Sequence, residues 1–102
     1  MRAALGLPAE PEAFLLVAEG RVQEAVRLLT DRLRPDHNRP LDPCGIIECL
    51  IALSLAHSAL FDAPAAREAL DRAATLMRQT GCYRDRNRFA DAEQALAAIE
   101  TA

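Results

Sequence analysis

There is no lysine in this 102-residue chain, and no tryptophan. All 12 basic residues are arginine, which excludes a lysine Schiff base and a P-loop of the G-x-x-x-x-G-K-[ST] type. Aromatics are sparse: Phe14, Phe61, Tyr83 and Phe89. Alternating runs of Val, Ile, Thr and Tyr are missing too, and with them the signature of β-strands. No hydrophobic run is long enough to cross a membrane. The apolar stretch from Ile46 to Phe61 is short for a span and is interrupted by Glu48, Ser54, His57 and Ser58. Neither sign of charge dominates. The formal net charge is -3 with both signs interspersed, so no global field invites nucleic acid, and no direct nucleic acid contact is expected. No signal-peptide pattern is evident, and the expected location is cytoplasmic.

What is present is alanine and leucine, in a chain that is 51% hydrophobic. That composition favours close helix–helix packing, and the chain reads as one all-α domain over residues 1–102. Residues 1–8 read as a flexible lead-in. The segment PEAFLLVAEG gives a short helix closed by Gly20. Arg21 to Arg34 follow as a second helix, with Val22, Ala25, Val26, Leu29 and Leu33 on one face and Glu24, Arg27, Asp31 and Arg34 on the other. Residues 35–43, PDHNRPLDP, carry three prolines and no apolar period, and read as a loop. Asp42 and Pro43 then mark a helix start, as N-cap and first helical residue.

The centre of the chain is the hairpin from Ile46 to Gly81. Its first arm is apolar nearly all round, so it must be covered on several sides. Its second arm is two-faced, with Ala66, Ala69, Leu70, Ala73 and Met77 at helical spacing, Asp62 as cap and Gly81 as stop. CYRDRNRF reads as a polar connector. A last helix from Ala90 to Ala102 buries Ala92, Leu96 and Ile99, with Phe89 beside them.

The sequence also repeats itself. GRVQEAVRLL (20–29) aligns with FDAPAAREAL (61–70), matching Ala25 with Ala66 and Leu29 with Leu70 at an offset of about 41 residues. Each copy has a turn, a small residue five positions on, and a leucine four beyond that. The small residue lets the two helices of a pair approach closely. This pattern resembles a tetratricopeptide repeat, although Arg32 stands where the first copy should have its last alanine, and the offset exceeds the standard repeat of about 34. The resemblance implies two stacked helix-turn-helix pairs plus a C-terminal capping helix. Over residues 13–100, through Leu53, Leu55, Ala66, Leu70, Ala73, Gly81, Arg88 and Phe89, the chain is similar to the helical sensor domain of maltose-activator-type LuxR-family transcription regulators. Those regulators also carry an ATPase domain and a DNA-binding helix-turn-helix, for which this chain has neither the length nor the P-loop. The resemblance therefore implies a sensing or docking role only.

The chemistry-bearing residues mostly have simpler readings. Cys49 and His57 lie near one face of the third helix but roughly 12 Å apart along its axis, too far for a thiolate–imidazole dyad. Cys44, Cys49 and Cys82 lack the short spacing of a metal site and, being odd in number, read as reduced, partly buried thiols of a cytosolic protein. His37 sits in the proline loop, most simply solvated. The pairs Glu10/Glu12 and Asp91/Glu93 fit exposed turns or helix starts. Ser54 and Ser58 read as small packing residues bonded back to the backbone. No catalytic residue, metal ligand or cofactor is expected.

Two candidate partner-binding groups remain. Phe14, Leu15 and Val17, with Leu16, give the first helix more apolar surface than one neighbour can hide, which points to self-association or docking on another chain. Tyr83, Arg84, Arg86 and Arg88 could bind an anion or an acidic groove, a solvated connector being the simpler reading. The leading functional expectation is a non-catalytic module that binds a protein or peptide, part of or accessory to a transcription regulator, and a homo-oligomer. The alternatives are an antiparallel bundle for dimerisation or scaffolding, and a small-molecule sensor.

Overall fold

A computed structural model describes residues 11–34 and 41–101. The chain forms five helices, α1 (Pro11–Ala18), α2 (Val22–Arg32), α3 (Pro43–Ala59), α4 (Ala63–Thr80) and α5 (Arg86–Glu100), and no strand among the described residues. The fold is all-α. The lead-in over 1–8, Glu10, His37 and most of the proline loop fall outside the described residues.

Local chemistry sets several of the helix ends. The Asp42 carboxylate accepts from the Gly45 N–H at 2.7 Å at the start of α3, and Asp62 accepts from the Ala65 N–H at 3.2 Å at the start of α4. Each bond satisfies one of the donors that a helix start leaves open. Gly81, at φ 72°, closes α4 in the left-handed conformation that glycine adopts without strain, its N–H bonded to the Met77 carbonyl at 2.9 Å. Gly20, at φ 83°, performs the same turn after α1.

α5 begins at Arg86, four residues before the expected Ala90, so Arg86 and Arg88 lie on a helix and not in a connector. Asp85 occupies the N-cap position, and its carbonyl accepts from the Phe89 N–H at 2.9 Å. Ala92 and Leu96 are buried as expected, with Phe89 and Ile99 partly buried against the core.

α3 is the hub: α1, α2, α4 and α5 all pack against it, whereas α2 and α4 do not pack on each other among the described residues. Two apolar clusters use different faces of α3. On one, Ile47, Leu50 and Ile51 meet Ala66, Leu70, Ala73 and Met77 of α4 and Ala92 and Leu96 of α5. On the other, Cys49 and Ala52 meet Ala13 of α1 and Leu29 of α2. Burying each leucine contributes about 1.5–3 kcal/mol, so these seams outweigh the exposed ion pairs many times over. The repeat-matched Ala25 and Ala66 are both fully buried. At Ala66 the helices are close enough for the Ser54 hydroxyl to donate to the Ala66 carbonyl at 2.9 Å. That bond crosses to the neighbouring helix, correcting the expectation of a bond back along α3. Ser58 is buried without a hydrogen bond to its hydroxyl. At the far end of the hairpin Arg67 holds Glu100 of α5 at 2.8 Å. This hydrogen bond raises the Arg67 guanidinium above its ordinary pKa.

Two stability measurements follow from this geometry. Phe61 turns the hairpin at φ 60° with 79% of its surface exposed, so it carries left-handed strain and little packing. Phe61→Gly should gain about 0.5–1 kcal/mol, less than the full left-handed cost because glycine also loosens the unfolded chain. A thermal melt that rises reads this directly, and an unchanged or lower midpoint would show that the exposed ring is packing after all. Conversely, Ala66→Leu should lose about 1–3 kcal/mol by forcing α3 and α4 apart and breaking the Ser54 bond, as measured by denaturant titration.

Candidate functional site

The one charge in the apolar arm of the hairpin is Glu48, and its side chain has no exposure to solvent. α3 places it on a face that the chain leaving α4 must cross. From that chain Arg84 brings Nη2 to 3.4 Å from Glu48 Oε1, and from the first turn of α5 Arg88 brings Nη1 to 3.7 Å from Oε2. The same guanidiniums contact Asp85, at 3.6 Å from Arg84 Nε and 3.9 Å from Arg88 Nη1. Among the described contacts, two carboxylates and two guanidiniums meet in one cluster. Stripping a carboxylate of water costs several kcal/mol, and opposed charges at this range offset much of that cost. The arginines keep 55% and 41% of their side-chain surface in solvent, so the cluster is closed toward α3 and open outward. Above it the Arg88 guanidinium carbon stands 4.2 Å from the centroid of the Phe14 ring, a cation–π contact that ties α1 to α5.

A covalent bond borders this cluster. Cys44, in the first turn of α3, and Cys82, just past the C-terminal stop of α4, are joined by a disulfide, with Cα atoms 5.9 Å apart. This corrects the reading of the cysteines as reduced thiols. The physical reason is the antiparallel hairpin, which returns the end of α4 to the start of α3 across 38 residues of sequence. Cys49 lies outside the bridge, buried against α1 and α2. Among the described residues no group of three or more His, Cys, Asp or Glu side chains is placed to hold a metal ion.

The expected partner-binding residues separate into inward and outward sets. Phe14, Arg84 and Arg88 come together around Glu48, which joins the two groups that the sequence keeps apart. Phe14 is half-buried and therefore belongs to the fold as much as to the surface. Leu15 (57% exposed) and Tyr83 (47% exposed) point outward, Arg86 is exposed with a long contact to the Tyr83 carbonyl, and Val17 is half-buried. Elsewhere ion pairs lie on the surface. The Arg21 hydrogen bond, for instance, holds the Glu24 carboxyl below its ordinary pKa.

Sequence reasoning treated Glu48 only as an interruption and passed over Asp85. A signal was present: a carboxylate in a helix apolar on all sides needs a cationic partner, and the antiparallel hairpin returns the arginines after Cys82 to the start of that helix. Comparison with protein-family models, with curated proteins and with solved structures finds no match for this chain. The reading of the site therefore rests on its geometry.

Arg84→Ala and Arg88→Ala should each cost about 1–3 kcal/mol, because each leaves the buried carboxylate less compensated. The double variant should lose about 3–5 kcal/mol, the range for breaking a buried charge cluster. Urea denaturation of the single and double variants measures both. Losses of only a few tenths would mean that these two arginines do not carry the compensation of Glu48.

Proposed function

We propose that this chain is a non-catalytic helical-repeat module that binds a protein or peptide partner and associates with itself, in the service of a cytoplasmic transcription regulator. On this reading α1–α2 and α3–α4 are stacked, tetratricopeptide-like pairs and α5 is the cap. The observation that carries it is the outward display of Leu15 and Tyr83, large apolar side chains at 57% and 47% exposure, next in sequence to Phe14 and Arg84 of the charged cluster. Such side chains suit burial against another chain better than contact with water.

Three further features support the reading. Ala25 and Ala66, the repeat-matched small residues, are both fully buried, and so are Leu29 and, nearly, Leu70. α3 packs on both α2 and α4 while those two stay apart, as sequential stacking requires. Shallow surface grooves run along Val26, Arg27, Thr30 and Asp31 of α2 with Arg34 just past its end, and along Asp71, Arg72, Thr75 and Leu76 of α4. Shifted by the repeat offset, Thr30, Asp31 and Arg34 fall on Asp71, Arg72 and Thr75, so the grooves occupy matching faces.

The test is sedimentation velocity over a concentration series, comparing the wild type with a Leu15→Glu/Tyr83→Ser double variant. The wild type should shift to faster-sedimenting species as concentration rises, and the variant should remain monomeric with an unchanged far-UV spectrum. A wild type that stays monomeric throughout, together with equal recovery of bound proteins by both forms in affinity capture, would remove this surface from consideration.

A further inference from the structure

The disulfide, the Arg84–Glu48–Arg88 cluster and the start of α5 follow one another within seven residues, from Cys82 to Arg88, and all of them act on the N-terminal half of α3. We propose that Cys44–Cys82 is a redox-operated clamp. Oxidised, it holds the connector 82–85 and the first turn of α5 against α3; reduced, it releases them, uncovers Glu48 and frees Arg84 and Arg88. This goes beyond the binding role proposed above and does not depend on it.

Four observations carry the proposal. Both cysteines are only partly buried, so a small thiol reaches the bond. The bond joins the first turn of α3 to the residue after the Gly81 stop, and therefore fixes the point from which the connector departs. Between Cys82 and α5 the connector makes exposed or long contacts: the Cys82 N–H to the Thr80 hydroxyl at 3.2 Å, and Arg84 to Glu48 at 3.4 Å. The far end of α5 has its own anchors, Leu96 in the core and the Glu100 pair with Arg67, so release at the near end leaves the rest of α5 seated.

The reductant is a dithiol. One of its thiolates attacks one sulfur of the bridge; the S–S bond breaks, and the electron pair leaves on the other cysteine sulfur, which takes up a proton. The second thiol of the reductant then attacks the mixed disulfide. The remaining cysteine leaves as a thiol, and the reductant departs as a cyclic disulfide. Two electrons and two protons pass to the protein, and the thiols of Cys44 and Cys82 are the product.

Limited trypsin digestion followed by mass spectrometry tests the clamp on the intact chain, comparing the oxidised protein with protein reduced by dithiothreitol and alkylated. The oxidised protein should take up alkylating reagent only after denaturation and only at Cys49, whereas the reduced protein takes it up natively at Cys44 and Cys82. Cleavage after Arg86 and Arg88 should be at least about tenfold faster in the reduced form, with cleavage after Arg67 and Arg72 unchanged, because only the local opening has become easier. A Cys44→Ser/Cys82→Ser variant should cleave like the reduced form whether or not dithiothreitol is present. Should that variant fail to fold, the reduced wild type still decides the matter. Equal cleavage in the two states, acceleration at every arginine alike, or three alkylatable cysteines in protein exposed to a disulfide oxidant would each overturn the proposal.

Discussion

A helix with no polar face has to be wrapped, and that requirement governs the architecture. α3 buries Ile47, Leu50 and Ile51 toward α4 and α5, and Cys49 and Ala52 toward α1 and α2. Four helices share the task of covering it, because one neighbour covers only one face. The alanines at the contact lines allow this crowding: Ala66 on α4 and Ala25 on α2 present only a methyl group, which lets the backbones approach closely. The absence of tryptophan fits the same economy of volume, since the core is assembled from alanines with a few leucines, isoleucines and one methionine.

Wrapping α3 also dictates how its single charge is handled. A carboxylate at Glu48 tolerates complete burial only with cations in reach, and the fold delivers two of them from one short stretch after α4. That stretch is steered there by the Cys44–Cys82 bond and held from above by Phe14. The polar centre and the apolar seams are therefore not independent. Arg88 reaches Glu48 only because α5 lies along α3 and α4, and α5 is aligned there by Ala92 and Leu96.

Features governed by near neighbours in sequence were legible without coordinates. The Asp42 and Asp62 caps and the Gly81 stop each depend on bonds spanning three or four residues, and the residue types alone announce them. The all-α class and the buried alanines follow from periodicity in the same way. Features that depend on distant neighbours were not legible. The extra turn of α5 has no apolar period of its own, and Arg88 within it is held by Glu48 and Phe14, 40 and 74 positions away in the numbering. The disulfide was hidden by an odd cysteine count. Yet the antiparallel hairpin already implied that a residue just past Gly81 would return to the start of α3. Of the candidate surface, the apolar character of Leu15 and Tyr83 was readable, but the turning inward of Arg84 and Arg88 was not.

The Cys44–Cys82 bond has a topological consequence apart from its chemistry. Together with the backbone between them, it makes the α3–α4 hairpin a closed covalent ring. A single backbone cut at the exposed Phe61 bend would open that ring without separating the two arms, which would stay joined through sulfur. The tip of the hairpin is thus the place where this molecule could be severed, or given new chain ends, and still travel as one piece.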